Sequence, residues 1–398
     1  APLSYAEALQ RVDTIIAGDV SIARGRSGEW LVQERLANAY ISRARLTGSF
    51  DDYATAQMAL DSGFASAPKG AGPHLTQAVL DFSLHRLARA ETMLDAIDHY
   101  AIPAERETLD ETGAMRGDIA FYRGDYAGAL AQYRKVGESE TEASYRIALY
   151  LAKTGQTDKA LAAIDKMEAG VRFPTAQMLA NLALLRGALE LQRGEREKAT
   201  RHFERADAVF PGYWLAEAHL AQMRALAGDS AGAIARFEAI ATRNDSPEVM
   251  DALAALYRAG GDRVRSQLWA DRAGRGWNKR LGLFPEAAYG HAVEHCLAFG
   301  DPQQALDLAL RDYQARPYGA SAIALGWAYL ANNRPADALR VIGPVLGSAW
   351  VSADQHIVAA QAHLLLGQSD EADAEQQKAL AINSHATDRD AALIWFGH

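Results

Sequence analysis

Two histidines and a glutamate stand at a spacing that can support metal chemistry. His291, Glu294 and His295 form the pattern H-x-x-E-H. On a helix, residues four apart lie on one face, so the two imidazoles could hold a metal ion and Glu294 could act as a general base. However, three fixed letters in five arise easily by chance, and no third ligand is identifiable downstream. A metal-dependent hydrolase is therefore kept as an alternative function.

The other groups that could do chemistry favour structural roles. His356 and His363 are two helical turns apart, and we expect both to be structural. No G-x-S-x-G motif, phosphate-binding loop or dinucleotide-binding glycine pattern occurs in the sequence. We therefore predict that the protein is not an enzyme, and we expect no cofactor and no bound metal.

Single glycines recur along the chain with a nearly constant period of about 34 residues. In most of these places a glycine ends one helical stretch and an alanine follows five residues later. These glycines are Gly124, Gly155, Gly194, Gly228, Gly261, Gly300 and Gly367, and Asn333 takes the same place once. Such a period indicates a helical solenoid whose repeats contact only their neighbours. It also shifts the expected function from catalysis toward binding.

The repeat resembles the tetratricopeptide repeat, a unit of two helices with small residues at fixed positions. In that family an aromatic side chain fills the space beside the small residues, and a proline follows the second helix. The best-matching unit has Gly187, Ala199, Phe203, Ala206 and Pro211 at these positions. Small residues let the two helices approach closely. The resemblance covers roughly residues 30–384 and implies an all-α, right-handed superhelical solenoid of about ten helix-turn-helix repeats.

Some segments depart from the pattern. The unit at 72–103 lacks a turn glycine, because Leu87-Ala-Arg-Ala90 runs through the expected place. Residues 1–29 are predicted to form an N-terminal helix over 4–19 and then a loop. Residues 385–398 are predicted to form a C-terminal capping helix that starts at Thr387 and covers the last repeat. The alternative for this aromatic tail is docking on a partner.

Composition excludes several classes of function. The chain of 398 residues has a net charge of −9 and a single cysteine, Cys296. The negative charge and the lack of a dense basic run argue against nucleic-acid binding and anionic membranes. One cysteine excludes an intramolecular disulfide, and no apolar run is long enough for direct membrane insertion. The first residue, Ala1, is compatible with removal of a signal peptide.

The resemblance also implies where a partner would bind. In this family the first helix of each repeat lines a concave groove, and partner contacts come from fixed positions on that helix. Carried onto this sequence, those positions are Asp118, Phe121, Tyr122, Tyr145, Lys153, Leu184, Leu191, Gln222, Glu294, Ile323 and Trp327. Exposed apolar and aromatic side chains on such a face usually mark a binding surface. A carboxylate-clamp chaperone cofactor is not expected, because only Lys153 has the chemistry that such a clamp requires.

These observations favour a non-enzymatic scaffold that binds a protein or peptide segment in the groove. Tyr122, Tyr145 and Trp327 are the expected anchors. The Ala-, Arg-, Leu- and Gly-rich composition is typical of a high-GC bacterium. We expect a periplasmic or cell-envelope setting, with a role in envelope assembly or secretion, and the cytoplasm is the alternative. A peptide-sensing regulator is a further alternative. The partner, its bound conformation and the oligomeric state stay open.

Overall fold

A computed structural model describes residues 2–136 and 140–396 of the chain. Over these residues the chain forms 21 α-helices and one short 3₁₀ helix, with no β-strand. The helices are α1 (Tyr5–Gly25), α2 (Trp30–Thr47), α3 (Phe50–Ser66), α4 (His74–Ser83), α5 (Leu87–Asp98), α6 (Arg106–Tyr122), α7 (Tyr126–Lys135), α8 (Glu140–Lys153), α9 (Thr157–Gly170), α10 (Ala176–Gln192), α11 (Arg196–Val209), α12 (Trp214–Leu226), α13 (Ser230–Ala241), α14 (Pro247–Ala259), α15 (Arg263–Leu283), α16 (Pro285–Phe299), α17 (Pro302–Ala315), α18 (Gly319–Ala331), α19 (Pro335–Leu346), α20 (Ala353–Leu365) and α21 (Ser369–Ile382). The 3₁₀ helix is Arg389–Leu393.

From α2 onward the helices pack in consecutive pairs, from α2 with α3 to α20 with α21. These pairs are ten helical hairpins, and α1 packs on the first of them. The prediction of an all-α array of about ten two-helix repeats is therefore confirmed.

Close packing within a hairpin depends on the small residues that the repeat pattern singled out. A Cβ atom at Gly187 would lie 2.3 Å from Cε1 of Phe203, which is fully buried. At Gly117 it would lie 2.6 Å from Cε1 of Tyr133. Such separations are shorter than van der Waals contact, so only glycine lets the large ring lie against the first helix.

The hairpin turns follow a common local rule. Gly124, Gly228 and Gly261 have φ values of 79°, 86° and 84°, in the left-handed region that glycine adopts without strain. The aspartate that follows each of them accepts a hydrogen bond from the third residue of the next helix.

Three turns needed the structure to be understood. Asn333 adopts φ 54° in place of glycine, as the period suggested. His85 adopts φ 57° and makes the turn of the unit that lacks a glycine. Gly300 was expected to be left-handed, but it has φ −115° and ψ −149°. Its role is steric instead, because a Cβ there would lie 3.0 Å from Cα of Cys296.

The expectation that repeats contact only their neighbours is wrong. The turns of the first five hairpins lie against loops and helix starts that are 193–200 residues further along the chain. Asn244 Nδ2 donates to the Thr47 carbonyl at 3.1 Å, and the Val351 amide donates to the Lys153 carbonyl at 2.9 Å. We call this line of contacts between distant turns and loops the seam.

Aromatic side chains fill the seam. Trp350 is only 4% exposed, and its ring centroid lies 6.2 Å from Phe121 and 5.6 Å from Tyr318. The Gly319 amide donates to the Tyr126 hydroxyl at 3.1 Å. The coil of hairpins is therefore tight enough for one superhelical turn to pack on the next, which encloses much of its inner face.

Both termini differ in part from the predictions. Helix α1 continues to Gly25 rather than ending near residue 19, because Asp19 and Ala23 extend its buried stripe. At the other end, a five-residue 3₁₀ helix replaces the predicted capping helix, and Ile394 is extended. No described helix is both long enough and apolar enough to span a membrane.

Candidate functional site

Asp118 lies on α6 and acts within the fold. Its carboxylate accepts hydrogen bonds from the Tyr133 hydroxyl at 2.9 Å and from Nε of Arg146 at 2.7 Å. Burial raises the pKa of Asp118, and the Arg146 guanidinium partly offsets this effect. The side chain is only 12% exposed, so it is not available to a partner in this conformation.

Phe121 and Tyr122 face the seam rather than an open groove. Phe121 is buried beside Trp350. The Tyr122 ring is half-buried, with its centroid 4.9 Å from Tyr318 and 5.7 Å from Phe82. The expectation that these residues are exposed is wrong, because the following superhelical turn covers them.

Leu184, Leu191 and Gln222 lie on α10 and α12 and are also buried. The two leucines belong to an apolar cluster against which Leu393 and Ile394 pack. The 3₁₀ helix contacts α12 and α14, which are first helices of their hairpins. This part of the predicted groove is therefore filled by the chain's own C-terminal segment.

The contacts of this segment with α12 are specific. Oε1 of Gln222 accepts the backbone amides of Trp395 at 3.0 Å and Phe396 at 3.1 Å. The Trp395 ring lies edge-on to Phe237 at 5.7 Å, and the Phe396 ring stacks on Phe237 at 6.0 Å. Phe396 also packs edge-on to His219 at 5.8 Å. A side-chain amide thus binds two consecutive backbone amides while aromatic side chains hold the flanking rings.

A two-pronged ion pair fixes the start of the segment. Both terminal nitrogens of Arg196 lie 2.8 Å from the carboxylate oxygens of Asp390. The hydrogen bonds from Arg196 lower the pKa of Asp390. Because this geometry is bidentate, it orients the 3₁₀ helix toward α12.

Another part of the inner face is accessible to solvent. Tyr145 on α8 is 44% exposed, yet burial raises its pKa. Burial lowers the pKa of Lys153, at the end of the same helix, and Asp354 only partly offsets this effect. Asp354 is exposed as well, and burial raises its pKa. These side chains therefore reach solvent but are surrounded by protein, as expected on a concave surface. We call Tyr145, Lys153 and Asp354 the inner recess.

Glu294, Ile323 and Trp327 lie on α16 and α18, in the two hairpins that precede the hairpin of Asp354. Glu294 on α16 is exposed, and its charge raises the pKa of Asp354. Ile323 and Trp327 are half-buried and one turn apart on α18, which packs between α16 and α20. Among the predicted residues, Lys153 and Glu294 lie close enough to Asp354 for their charges to affect its pKa, and Asp354 itself was not predicted.

The H-x-x-E-H segment does not form a convergent metal site. Nδ1 of His291 lies 3.0 Å from Oε2 of Glu294, and its ring stacks on Trp277 at 5.7 Å. Nδ1 of His295 contacts Oδ1 of Asp251 at 2.6 Å. Burial tends to lower the pKa of His291, but the hydrogen bond with Glu294 and the negative charges of Glu294 and Glu248 together outweigh it, so the pKa is raised. A raised pKa favours the charged imidazolium, which is a poor metal ligand.

The other histidine pair is also used within the fold. Nδ1 of His356 lies 2.6 Å from Glu375, and Nδ1 of His363 lies 2.8 Å from Gln368. Within residues 2–136 and 140–396, no group of three or more His, Cys, Asp or Glu residues is arranged to hold a metal ion. The geometry does not support the hydrolase alternative.

A cavity of about 360 Å³ lies beside the seam and is lined in part by Phe50, Trp214 and His291. Its main charges are paired: Arg280 donates to Glu248 at 2.6 Å and lies over the Phe50 ring at 4.6 Å. The Arg280 charge helps to lower the pKa of Glu248 against the opposing effect of burial. The cavity therefore offers a ligand few charged groups that are not already paired within the fold.

Sequence reasoning missed the seam, although a signal for it exists. Aromatic residues recur in the loops that enter it, and Tyr213, Phe284 and Trp350 are each at most 5% exposed. Phe173, on a loop outside the seam, is 79% exposed. The recurrence of aromatic residues between hairpins could have indicated a second packing surface.

No protein-family model matches this chain, and no curated protein sequence matches it. Among solved structures, the chain is similar to yeast Tom70, with 12% identity, 98% of this chain and 87% of that chain covered, and a TM-score of 0.40. It is similar to MamA, with 19% identity, coverages of 42% and 96%, and a TM-score of 0.33. It is also similar to a tetratricopeptide repeat protein from Parabacteroides merdae ATCC 43184, with 12% identity, coverages of 71% and 95%, and a TM-score of 0.29. No functional statement about this chain follows from these weak similarities. By its paired helices, its small-residue packing positions and its turn geometry, the chain is consistent with a tetratricopeptide repeat protein.

Proposed function

We propose that this protein is a non-enzymatic scaffold that binds a protein or peptide segment on the inner face of the array. The observation that carries the proposal is the inner recess, whose ionisable side chains are accessible but poorly solvated. Within the described residues, the Lys153 ammonium and the Asp354 carboxylate make no ion pair or hydrogen bond. Nζ of Lys153 lies 5.5 Å from the Trp350 ring centroid.

Such a recess favours ligand binding for a physical reason. Folding has already removed part of the water around these charges, so a ligand that pairs with them gains more than it would at an open surface. A matching segment would present an acidic group to Lys153 and hydrogen-bond donors to Asp354 and Glu294. Tyr145 and Trp327 would supply the aromatic contact area that is common at interaction hot spots.

A catalytic role has weaker support. His291 and His295 contact different carboxylates, so the two side chains do not converge on a shared ligand. The Cys296 thiol is buried, and burial raises its pKa to about 11, so it is a poor nucleophile. These contacts favour a role for the three residues in stabilising the fold over a role in catalysis.

We also propose a cell-envelope setting and a role in envelope assembly or secretion. The support is the composition, which is rich in Ala, Arg, Leu and Gly. Fractionation of the source cells with an antibody against the protein tests this proposal. Recovery only with the cytosolic fraction would contradict it.

The binding proposal is tested by peptide display on the immobilised full chain. The test variant is Tyr145→Ala/Lys153→Ala/Trp327→Ala, and the matched control is Val264→Ala/Leu268→Ala on residues that are 81% and 54% exposed. We expect a peptide motif that is enriched on the wild type and the control but not on the test variant. Equal enrichment on the test variant would refute the recess as the site. Failure of any motif to enrich on the wild type would refute peptide binding by the scaffold.

A further inference from the structure

The face of α12 around Gln222 is built to bind a segment that is not helical. Gln222 is fully buried, and its Oε1 holds the amides of Trp395 and Phe396. Two consecutive amides that converge on one oxygen form a specific recognition geometry. Aromatic contacts from Phe237 and His219 then select the side chains that follow the backbone contact.

Within the described residues, the side-chain amide of Gln222 forms hydrogen bonds through its oxygen but not through its nitrogen. Its Nε2 atom is buried and has no hydrogen-bond acceptor among residues 2–136 and 140–396. The amide cannot be rotated to solve this, because Nε2 would then face the two backbone donors of Trp395 and Phe396. A buried donor without an acceptor is costly, so a ligand that places a carbonyl oxygen near Nε2 would bind more favourably than the resident segment.

The resident segment, residues 393–396, is less deeply buried than Gln222, which it covers. Leu393, Ile394, Trp395 and Phe396 are all only half-buried, whereas Gln222 is fully buried. The main anchor of the segment is the ion pair between Arg196 and Asp390, in which the Asp390 side chain is 31% exposed. The aromatic pair is therefore less enclosed than the surface that it covers.

We propose that this face of α12 is a binding site for a partner segment that carries two adjacent aromatic residues after aliphatic ones, and that residues 393–396 occupy it until such a segment displaces them. The chemistry of the partner is read from the resident segment: aliphatic side chains against the leucine cluster, a backbone bend on Gln222, and two rings against Phe237 and His219. A carbonyl oxygen near Nε2 of Gln222 is the added feature expected of the partner. The inference rests on the proposed function and assigns a second, separate site on the inner face.

The test uses the full chain and a fluorescein-labelled peptide with the sequence of residues 391–396 and an amidated end. In the variant Trp395→Ala/Phe396→Ala, the resident segment competes less for the site. We expect this variant to bind the peptide at least about tenfold more tightly than the wild type, because a tethered competitor acts at a high effective concentration. Adding Gln222→Ala should abolish the gain. The variant Val264→Ala/Leu268→Ala, on residues that are 81% and 54% exposed, should bind like the wild type.

Other results would overturn the inference. Equal peptide affinity for the wild type and Trp395→Ala/Phe396→Ala would show that no competition occurs. Equal binding of a peptide with both aromatic residues replaced by alanine would remove the specificity. If the aromatic variant fails to fold, as judged by circular dichroism, the segment is part of the core and the proposal fails.

The same assay separates this inference from the proposed function. The recess variant Tyr145→Ala/Lys153→Ala/Trp327→Ala, combined with Trp395→Ala/Phe396→Ala, should keep the gain in peptide affinity. Retained binding at α12 with no motif at the recess would refute only the recess. A motif at the recess with no competition at α12 would refute only the second site.

Discussion

Replacing Gly124 by alanine tests whether the seam stabilises the fold. Gly124 makes the turn between α6 and α7 with φ 79°, and a Cβ there would lie 2.7 Å from the Pro317 carbonyl oxygen. The contacted atom belongs to the backbone, so it cannot move aside as a flexible side chain could. The added methyl group must therefore separate the two superhelical turns or distort one of them.

A matched control isolates this effect. Gly228 has φ 86° and makes an equivalent turn, but a Cβ there would meet nothing within 4 Å. Left-handed alanine costs about 1–2 kcal/mol, and the stiffer unfolded chain returns about 0.4–1 kcal/mol. Gly228→Ala should therefore lower the free energy of unfolding by about 1 kcal/mol. Gly124→Ala adds an overpacking cost of about 1–3 kcal/mol, for a total of about 2–4 kcal/mol.

The assay is urea unfolding of both variants, followed by tryptophan fluorescence and far-UV circular dichroism. Coincident transitions would permit conversion of the midpoints into free energies. We expect Gly124→Ala to lower the free energy of unfolding clearly more than Gly228→Ala. Equal costs in the two variants would refute it, because the seam would then contribute nothing that a nearest-neighbour array lacks.

Three further predictions concern packing and charge. Trp350→Ala removes a side chain that is 4% exposed and should lower the free energy of unfolding in urea by about 3–5 kcal/mol. Phe173→Ala, at a residue that is 79% exposed, should change it by no more than about 0.5 kcal/mol. Similar costs in the two variants would contradict a stabilising role for the seam. Arg146→Met strands the buried Asp118 carboxylate and should lower stability by about 3 kcal/mol at neutral pH, with a smaller loss when Asp118 is also changed to Asn. His291 has a raised pKa in the folded state, so its charge stabilises the fold below its unfolded pKa and this contribution disappears as the pH rises through the folded pKa. Glu294→Gln should therefore reduce the loss of stability between about pH 6 and pH 9, and an unchanged pH profile would contradict the assignment.

Much of the structure of each helical hairpin follows from its local sequence. Gly187 and Phe203 share one hairpin, and the two helices can meet only where the first offers a small residue. The turn glycines with their following aspartates end one helix and begin the next by backbone preferences that act within a few residues. The turn at His85 was missed because left-handed histidine is uncommon, so no local pattern predicts it.

The site depends on longer distances. Five of the predicted inner-face residues, among them Tyr145 and Trp327, are exposed or half-buried, whereas Phe121, Leu184 and Gln222 are buried. All of them occupy equivalent positions in their repeats, so the repeat pattern could not distinguish the two groups. The difference comes from which part of the inner face is covered by a later superhelical turn or by residues 393–396.

By itself, the sequence determined the helical hairpins, their number and their packing positions, because these depend on contacts within about one repeat length. Only the tertiary structure decided the seam, the enclosed inner face and the place of the C-terminal segment. Small rotations between successive hairpins accumulate over about 200 residues before distant parts meet, as between Thr47 and Asn244. A slightly different rotation between successive hairpins would separate the two sides of the seam. The residues of a single repeat do not determine the rotation accumulated over several repeats.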